Sequence, residues 1–169
     1  MERVSIAVAL AAALSACGSG APPPPAAAPK PCEPVQPTLA ITASDRSNAS
    51  SAEPGRPVQV RVYQLKNDAK LRTASFEEIW QNDAAVLEGD LVSLEEHTVF
   101  PGQTTTVPVS PKAEATTLAL VALFREPQGK DWFITYELAP PRNEPPCPNK
   151  DVQIPVFLDR MQIQDGTGR

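Results

Sequence analysis

The sequence predicts an all-β protein, an antiparallel β-sandwich with a short helical insertion between its second and third strands. Several segments alternate apolar and polar residues with a period of two, the spacing of strands buried on one side. Turn-forming pairs such as Pro54-Gly55, Pro101-Gly102 and Gln128-Gly129 separate these segments. A segment that begins at Ser75 has helical spacing instead. About eight short strands with such turns between them are typical of a sandwich.

Alternation identifies four of the strands. In each of them the apolar side chains recur at every second position, so we expect one face to be buried against a core. In chain order these positions are Leu39, Ile41 and Ala43; Val58, Val60 and Val62; Trp132, Ile134, Tyr136 and Leu138; and Val152, Ile154, Val156 and Leu158.

The remaining strands show other signals. TLALVALF, residues 117–124, is apolar almost throughout, which is typical of a central strand covered on both faces. LVSLEEHTVF and QTTTVPV are two strands joined by the Pro101-Gly102 turn. Pro155 has no N–H, so its strand is expected at a sheet edge or with a bulge. A turn near Asp159-Arg160 then leads to a short last strand.

The helical insertion begins with a capping box. In Ser75-Phe76-Glu77-Glu78 a serine is followed three residues later by a glutamate. Phe76, Ile79 and Trp80 lie at positions i, i+3 and i+4, on one face of a helix that we expect to end at Gly89. We expect Trp80 to anchor this insertion by packing rather than to serve as a ligand platform.

The N-terminal segment, residues 1–16, has the layout of a secretory signal peptide, with Arg3, an apolar stretch and a small-residue exit. The apolar stretch is shorter than a membrane-spanning helix needs. Leu-Ser-Ala-Cys resembles the bacterial lipobox, which implies that Cys17 becomes the first residue and is acylated, palmitate included. The alternative is an ordinary signal peptide that is cut nearby.

Acylation at Cys17 predicts a protein held on the periplasmic face of the outer membrane. Two or more acyl chains anchor a protein stably to a bilayer. By resemblance to enterobacterial sorting, Gly18 in place of an aspartate implies the outer membrane. Residues 17–37, rich in proline and alanine, predict a semi-rigid stalk, although a disordered leader has the same composition. Residues 38–163 form the predicted domain and residues 164–169 a disordered tail.

Two cysteines remain for a disulfide once Cys17 is lipidated. In an oxidising compartment Cys32 and Cys147 are expected to form one bridge, and two free thiols are the alternative. These two distant cysteines and the single histidine, His97, supply too few ligands for a metal site.

Catalytic and nucleic-acid-binding functions are not expected. The net charge is −5, and the sequence has no basic stripe of the kind that binds nucleic acid. His97 lies in an alternating strand on the same face as Glu95, and we expect it to be solvent-exposed. No nucleophile elbow or glycine-rich turn accompanies it in the sequence. Glu95 and Glu96 point to opposite faces of that strand, so they cannot act on one atom. We therefore expect no enzyme and no cofactor.

A long polar loop makes a binding module the favoured alternative. SDRSNASSAEPGR, residues 44–56, separates the first two strands. Long loops in compact domains are often functional, although a plain surface connection has the same composition.

Several of these segments, in this order, resemble the TssJ family, the outer-membrane lipoproteins of type VI secretion systems. The resemblance covers residues 39–163, which include the polar loop, and the lipobox and the stalk precede this region in the order expected of the family. Its most specific parts are Val62-Tyr63-Gln64-Leu65, the Pro101-Gly102 turn, and Ala122-Leu123-Phe124-Arg125 followed by Trp132.

The resemblance implies a transthyretin-like sandwich with a non-catalytic role. Members of this family bind the C-terminal periplasmic region of TssM and, with TssL, form an envelope-spanning membrane complex. The loop between strands one and two helps to contact TssM. Mapped onto this sequence, the expected contact residues are Asp45, Arg46, Asn48, Ser50, Ser51 and Glu53.

The rival interpretation is an envelope lipoprotein with a transthyretin- or immunoglobulin-like sandwich that binds a small ligand or peptidoglycan. A carbohydrate binder would show exposed aromatic side chains. In this sequence Tyr63 and Phe133 are the plausible ones.

Overall fold

The structure, a computed structural model, describes residues 32–51, 53–140, 142 and 144–167. In that part of the chain the strands are β1 (Gln36–Ala43), β2 (Val58–Leu65), β3 (Leu91–Val99), β4 (Thr104–Pro108), β5 (Thr117–Leu123), β6 (Phe133–Glu137), β7 (Asp151–Asp159) and β8 (Gln162–Asp165). Helices α1 (Ala69–Thr73) and α2 (Phe76–Leu87) and a 3₁₀ turn (Glu88–Asp90) lie between β2 and β3. The helical insertion is thus confirmed at its predicted place, with α1 as an addition.

The predicted signal peptide, Cys17 and the stalk up to residue 31 lie outside the described residues. Strand β1 begins two residues before the predicted domain boundary and β8 ends two residues after it. None of the helices in the described ranges is long and apolar enough to cross a bilayer.

Two four-stranded sheets form the predicted sandwich. The first sheet has the order β4-β1-β7-β8 and the second has the order β3-β2-β5-β6. All neighbouring strands are antiparallel except β1 and β7, which are parallel from Gln36↔Asp151 to Ala43↔Leu158. This parallel pair is the one departure from the predicted antiparallel pattern, and it is possible because a long stretch of chain separates the two strands.

The core lies between the sheets, on the faces that alternation predicts. In β1 and β2 all six predicted apolar positions are buried, and Val156 and Leu158 of β7 join them. Val152 at the start of β7 is exposed, so the alternation there extends beyond the packed region. Trp132 is buried directly before β6, whereas Ile134 and Tyr136 are half-buried at that sheet edge.

The helical insertion covers the outer face of the second sheet. Ala119 and Val121, on the outer face of β5, are fully buried, and this confirms the predicted strand covered on both sides, which ends at Leu123, one residue earlier than predicted. Tyr63 on the outer face of β2 is also buried, and its hydroxyl donates to Asp83 Oδ2 of α2 at 2.7 Å. Burial raises the pKa of Tyr63, so the hydroxyl remains a donor at neutral pH.

The capping box at Ser75 is confirmed. Ser75 Oγ accepts from the Glu78 amide at 3.3 Å, and Glu78 Oε2 accepts from the Ser75 amide at 2.7 Å. Together these bonds satisfy two donors that the helix start would leave unpaired. The Phe76 ring packs edge-on against Trp132 at 5.6 Å between centroids.

The prediction that Trp80 anchors the insertion is wrong. Trp80 is 51% exposed, whereas Ile79, one position earlier, is fully buried and provides the anchor. Arg61 of β2 further fixes α2 by donating to the Ile79 carbonyl at 3.0 Å and to Asp83 at 3.2 Å. The predicted end at Gly89 is also shifted, since Glu88 with φ of 47° terminates the helix.

Pro155 is not in an edge strand, because β7 lies between β1 and β8. The pairing of β7 with β8 extends from Asp159 only to Val156. Pro155 lies just beyond that ladder, where its carbonyl accepts from Gly166 N at 3.0 Å. The missing N–H therefore interrupts no β7–β8 pair.

The predicted disulfide is present in the structure. Cys32 and Cys147 are bonded, with their Cα atoms 5.4 Å apart. Each cysteine lies four residues before a strand, Cys32 before β1 and Cys147 before β7. The bridge therefore closes the parallel β1–β7 pair at the end where both strands begin.

The double substitution Cys32→Ser with Cys147→Ser should lower the free energy of unfolding by about 2–5 kcal/mol, because the bridge removes unfolded-state entropy across a separation of 115 residues. Urea denaturation of the oxidised wild type and the variant measures this loss. Reductant should destabilise the wild type and leave the double variant unchanged. An unfolding midpoint equal to that of the oxidised wild type would contradict the prediction.

Candidate functional site

Four of the strand connections lie at one end of the sandwich, which we name the loop end. They join β1 to β2 (44–57), β3 to β4 (100–103), β5 to β6 (124–132) and β7 to β8 (160–161). The Cys32–Cys147 bridge and the β6–β7 connection lie at the opposite end, the disulfide end. The predicted contact loop and the bridge are thus separated by the length of the strands.

The β1–β2 loop is attached to the turn between β7 and β8. Ser44 N donates to Leu158 O at 2.8 Å, and Ser44 Oγ donates to Asp159 Oδ1 at 2.5 Å. The backbone N–H of Asn48 donates to Arg160 O at 2.6 Å. These bonds fix the first half of the loop to an adjacent connection of the first sheet.

Asn48 belongs to the internal framework of the loop. It is only 7% exposed, and its backbone has a φ of 58°, a left-handed conformation that asparagine tolerates better than most residues. Its Nδ2 donates to Pro57 O and its Oδ1 accepts from Arg125 N, each at 3.1 Å. Both polar groups of the side chain are therefore occupied within the chain, and a role for Asn48 at an interface would be to hold the loop in shape.

Glu53 closes the second half of the loop. Its carboxylate accepts from Arg125 Nη1 and lies 3.0 Å from Arg56 Nη2. The hydrogen bond from Arg125, followed by the charge of Arg56, lowers the pKa of Glu53 from its usual 4.5. Gly55 is required nearby, because a Cβ there would lie 2.2 Å from the Asp45 carbonyl oxygen.

The remaining predicted contact residues differ in exposure. Asp45, Arg46, Ser51 and Glu53 are exposed, whereas Ser50 is half-buried. The Arg46 side chain is 63% exposed and pairs with Asp159 at 3.2 Å. The solvent-facing part of the loop therefore presents an anion, a cation and a hydroxyl, groups that form directional bonds to another surface.

Arg125 is a part of the loop framework that sequence reasoning did not assign. It lies directly after β5 and contacts both halves of the loop, through Asn48 and through Glu53. The sequence places Arg125 in the Ala-Leu-Phe-Arg segment but gives no signal for a contact with residues more than seventy positions earlier.

The aromatic side chains expected of a carbohydrate binder are not exposed. Tyr63 is covered by α2, and Phe133 is half-buried with its ring 4.7 Å from that of Trp132. Within the described residues the exposed aromatic side chains are Trp80 and Phe100. His97, expected on the surface, is half-buried on the core-facing side of β3, opposite Val60, with Nε2 3.5 Å from Glu95.

A groove of about 550 Å³ lies at the disulfide end. Its wall consists mainly of proline, alanine and other small or apolar residues, among them Pro34, Val35, Pro111 and Leu138. Lys112 and Arg142 line it together with Glu33 and Glu137, so charges of both signs are present. This mixture indicates no particular ligand.

Comparison with known proteins identifies the fold and a family. Residues 36–160 match the model of the family described as type VI secretion lipoprotein, VasD, EvfM, TssJ. A search of curated proteins found no significant match.

Solved structures with the same fold come from type VI secretion. Lip from Serratia marcescens, a membrane-bound component of the system, aligns with a TM-score of 0.68 and 20% identity over 77% of this chain and 96% of that one. The lipoprotein TssJ1 from Pseudomonas aeruginosa aligns with a TM-score of 0.66 and 21% identity, over 78% of this chain and 95% of that one. A chain in a structure described as the TssM C-terminal domain (869-1107) from EAEC aligns with a TM-score of 0.60 and 22% identity, over 77% of this chain and 96% of that one.

The pKa of Glu53 gives a direct test of the loop framework. Since its pKa in the folded protein is lowered, the contacts to Arg125 and Arg56 stabilise the loop above pH 4.5 and are lost as the pH falls through the lowered value. Arg125→Ala should return the pKa of Glu53 toward 4.5, as measured by NMR titration of the carboxyl carbon.

A matched ion pair at the disulfide end provides the control. A hydrogen bond from Lys66 lowers the pKa of Glu114 in the same way. Lys66→Ala should raise the midpoint of Glu114 and leave that of Glu53 unchanged. A Glu53 midpoint that does not move in Arg125→Ala would contradict the proposed framework.

Proposed function

Since the chain belongs to the type VI secretion lipoprotein family, the family of TssJ, we propose that it anchors a secretion membrane complex to the outer membrane by binding the C-terminal periplasmic region of TssM through its loop end. In this proposal Cys17 holds the chain on the periplasmic face of the membrane, and TssL completes the complex on the other side of the periplasm. The role is a non-catalytic one.

The observation that carries the proposal is the position of the two ends of β1. Cys32, fifteen residues after Cys17, lies just before β1 at the disulfide end. The contact loop begins just after β1 at the loop end. An eight-residue strand extends about 26 Å. Attachment at the disulfide end would therefore leave the contact loop at the end of the domain farther from the attachment point, where a periplasmic partner would meet it.

Two routes connect the attachment point to the loop, one covalent throughout and one that ends in a hydrogen bond and an ion pair. One follows the backbone of β1 from Cys32 to Ser44. The other passes through the disulfide to Cys147 and along β7 to Asp159, which accepts from Ser44 and pairs with Arg46. Tension between membrane and partner would thus be carried along two strand backbones, and this arrangement suits a tether.

The comparisons support TssM as the partner. A chain with this fold occurs in a structure whose description names the TssM C-terminal domain. The matching family is one of type VI secretion lipoproteins. Confinement of an acylated domain to a thin layer beside the membrane would raise its effective concentration for such a partner. Contacts that are individually weak then suffice for assembly.

Arg46→Ala should weaken binding of the processed lipoprotein, in detergent micelles, to the C-terminal periplasmic region of TssM from the same genome. We expect an increase in Kd of about five- to tenfold, because an exposed cation with a directional fork is lost. Calorimetric titration measures it. Arg72→Ala on α1 is the matched control, since that side chain is 57% exposed and also forms an ion pair. A folded wild type that does not bind would contradict the proposed function and favour the ligand-binding alternative.

Cys17→Ser should remove the protein from the outer-membrane fraction and abolish secretion, because the sulfur that would be acylated is absent. Membrane fractionation and a secretion assay measure both effects. Ser19→Ala, which keeps the acylation site, is the control. A Cys17→Ser strain with normal fractionation and secretion would contradict the anchoring role.

A further inference from the structure

An exposed aromatic residue lies at the loop end. Phe100 directly follows Val99, the buried last residue of β3, and is itself 50% exposed. The other exposed large apolar side chains among the described residues lie elsewhere, Trp80 on α2, Leu94 in β3 and Val152 at the start of β7. A phenyl ring in water at this position has no part in the core.

The turn that carries Phe100 is held in a fixed conformation. Gln103 N donates to Phe100 O at 3.1 Å, with Pro101 and Gly102 between them, and Gly102 has a φ of 72°. Proline followed by a residue with positive φ is the pattern of a type II turn. Gly102 N donates to Ala43 O at 3.0 Å and Ala43 N donates to Gln103 O at 2.9 Å, so the turn is bonded to the last residue of β1.

The same turn contacts the β1–β2 loop. A Cβ on Gly102 would lie 2.6 Å from Asp45 Oδ1, which means that the Asp45 carboxylate lies directly against the turn backbone. Phe100 is two residues from this contact. The aromatic residue and the exposed charges of the loop are therefore parts of one surface.

We propose that Phe100 is the apolar contact of the TssM-binding surface and that the partner offers an apolar pocket bordered by a cation or hydrogen-bond donors for Asp45; this inference rests on the function proposed above. A few aromatic side chains surrounded by polar groups contribute most of the energy at many interfaces. A ring on a fixed turn loses little conformational freedom on binding. Arg46 and Ser51 then supply the polar border of the contact.

The test compares substitutions at two aromatic residues of nearly equal exposure. Phe100→Ala should raise the Kd for the C-terminal periplasmic region of TssM about tenfold or more, as measured with the processed lipoprotein in detergent micelles. Trp80→Ala removes a side chain that is 51% exposed on α2, outside the β3–β4 turn and the β1–β2 loop, and should change the Kd less than about twofold. Phe100→Leu, which keeps an apolar side chain, should retain most of the affinity.

The possible outcomes separate this inference from the proposed function. A wild type that does not bind overturns both. A wild type that binds and is weakened by Arg46→Ala but not by Phe100→Ala overturns the role of Phe100 alone. Equal losses in Phe100→Ala and Trp80→Ala also overturn it, since the effect would not be specific to the turn between β3 and β4. If Phe100→Ala does not fold, Phe100→Gln decides, because it keeps a longer side chain than alanine but removes the apolar contact and should weaken binding in the same way.

Discussion

The parallel pairing of β1 with β7 is the constraint on which the rest of the structure depends. The pair is closed at one end by the Cys32–Cys147 bridge and at the other by the bonds of Ser44 to Leu158 and Asp159. The two strands lie far apart in the sequence, so the pair forms only when the chain between them has returned to the same end. Strands β4 and β8 add to the two free sides of this pair and complete the first sheet. The direction of the pair also places the start of β1 and the β1–β2 loop at opposite ends of the sandwich.

Local patterns in the sequence predict the parts of this fold that depend on local physics. Burial of Leu39, Ile41 and Val60 follows from alternation, and the Ser75 capping box follows from spacing. Partners that are distant in sequence do not show in such patterns. Pro155 lacks an N–H and is therefore typical of an edge strand. Its actual place, beyond the last β7–β8 pair, depends on how far β8 extends. Trp80 has the helical spacing of a buried residue, but α2 is rotated about its axis so that Ile79 is buried and Trp80 lies in solvent. Sequence alone cannot give that rotation, because it is set by contacts with β2.

The candidate site shows the same division. The sequence correctly places a polar loop between β1 and β2, yet it cannot separate residues that shape the loop from residues that remain available to a partner. Both polar groups of the Asn48 side chain are hydrogen-bonded, to Pro57 O and Arg125 N, whereas the Arg46 side chain is 63% exposed and pairs with Asp159 at the surface. Exposed ion pairs of this kind contribute about 0–1 kcal/mol. In the proposed complex Arg46 would therefore exchange its internal partner for an external carboxylate at little cost, whereas an exchange at Asn48 would break the loop.

A rigid surface suits a protein that is tethered at a membrane. Anchoring raises the effective concentration of the domain for every partner at the membrane, wrong partners included. The tether itself therefore provides no discrimination between partners. Discrimination requires groups that are fixed in position before the partner arrives. The Gly102 turn, bonded to Ala43 and lying against Asp45, fixes Phe100 relative to the loop. Arg125 fixes the other half of that loop through Glu53. Affinity would then depend largely on the acyl anchor and specificity on the loop end, so a loss of fixed geometry would impair recognition even in a protein that remains on the membrane.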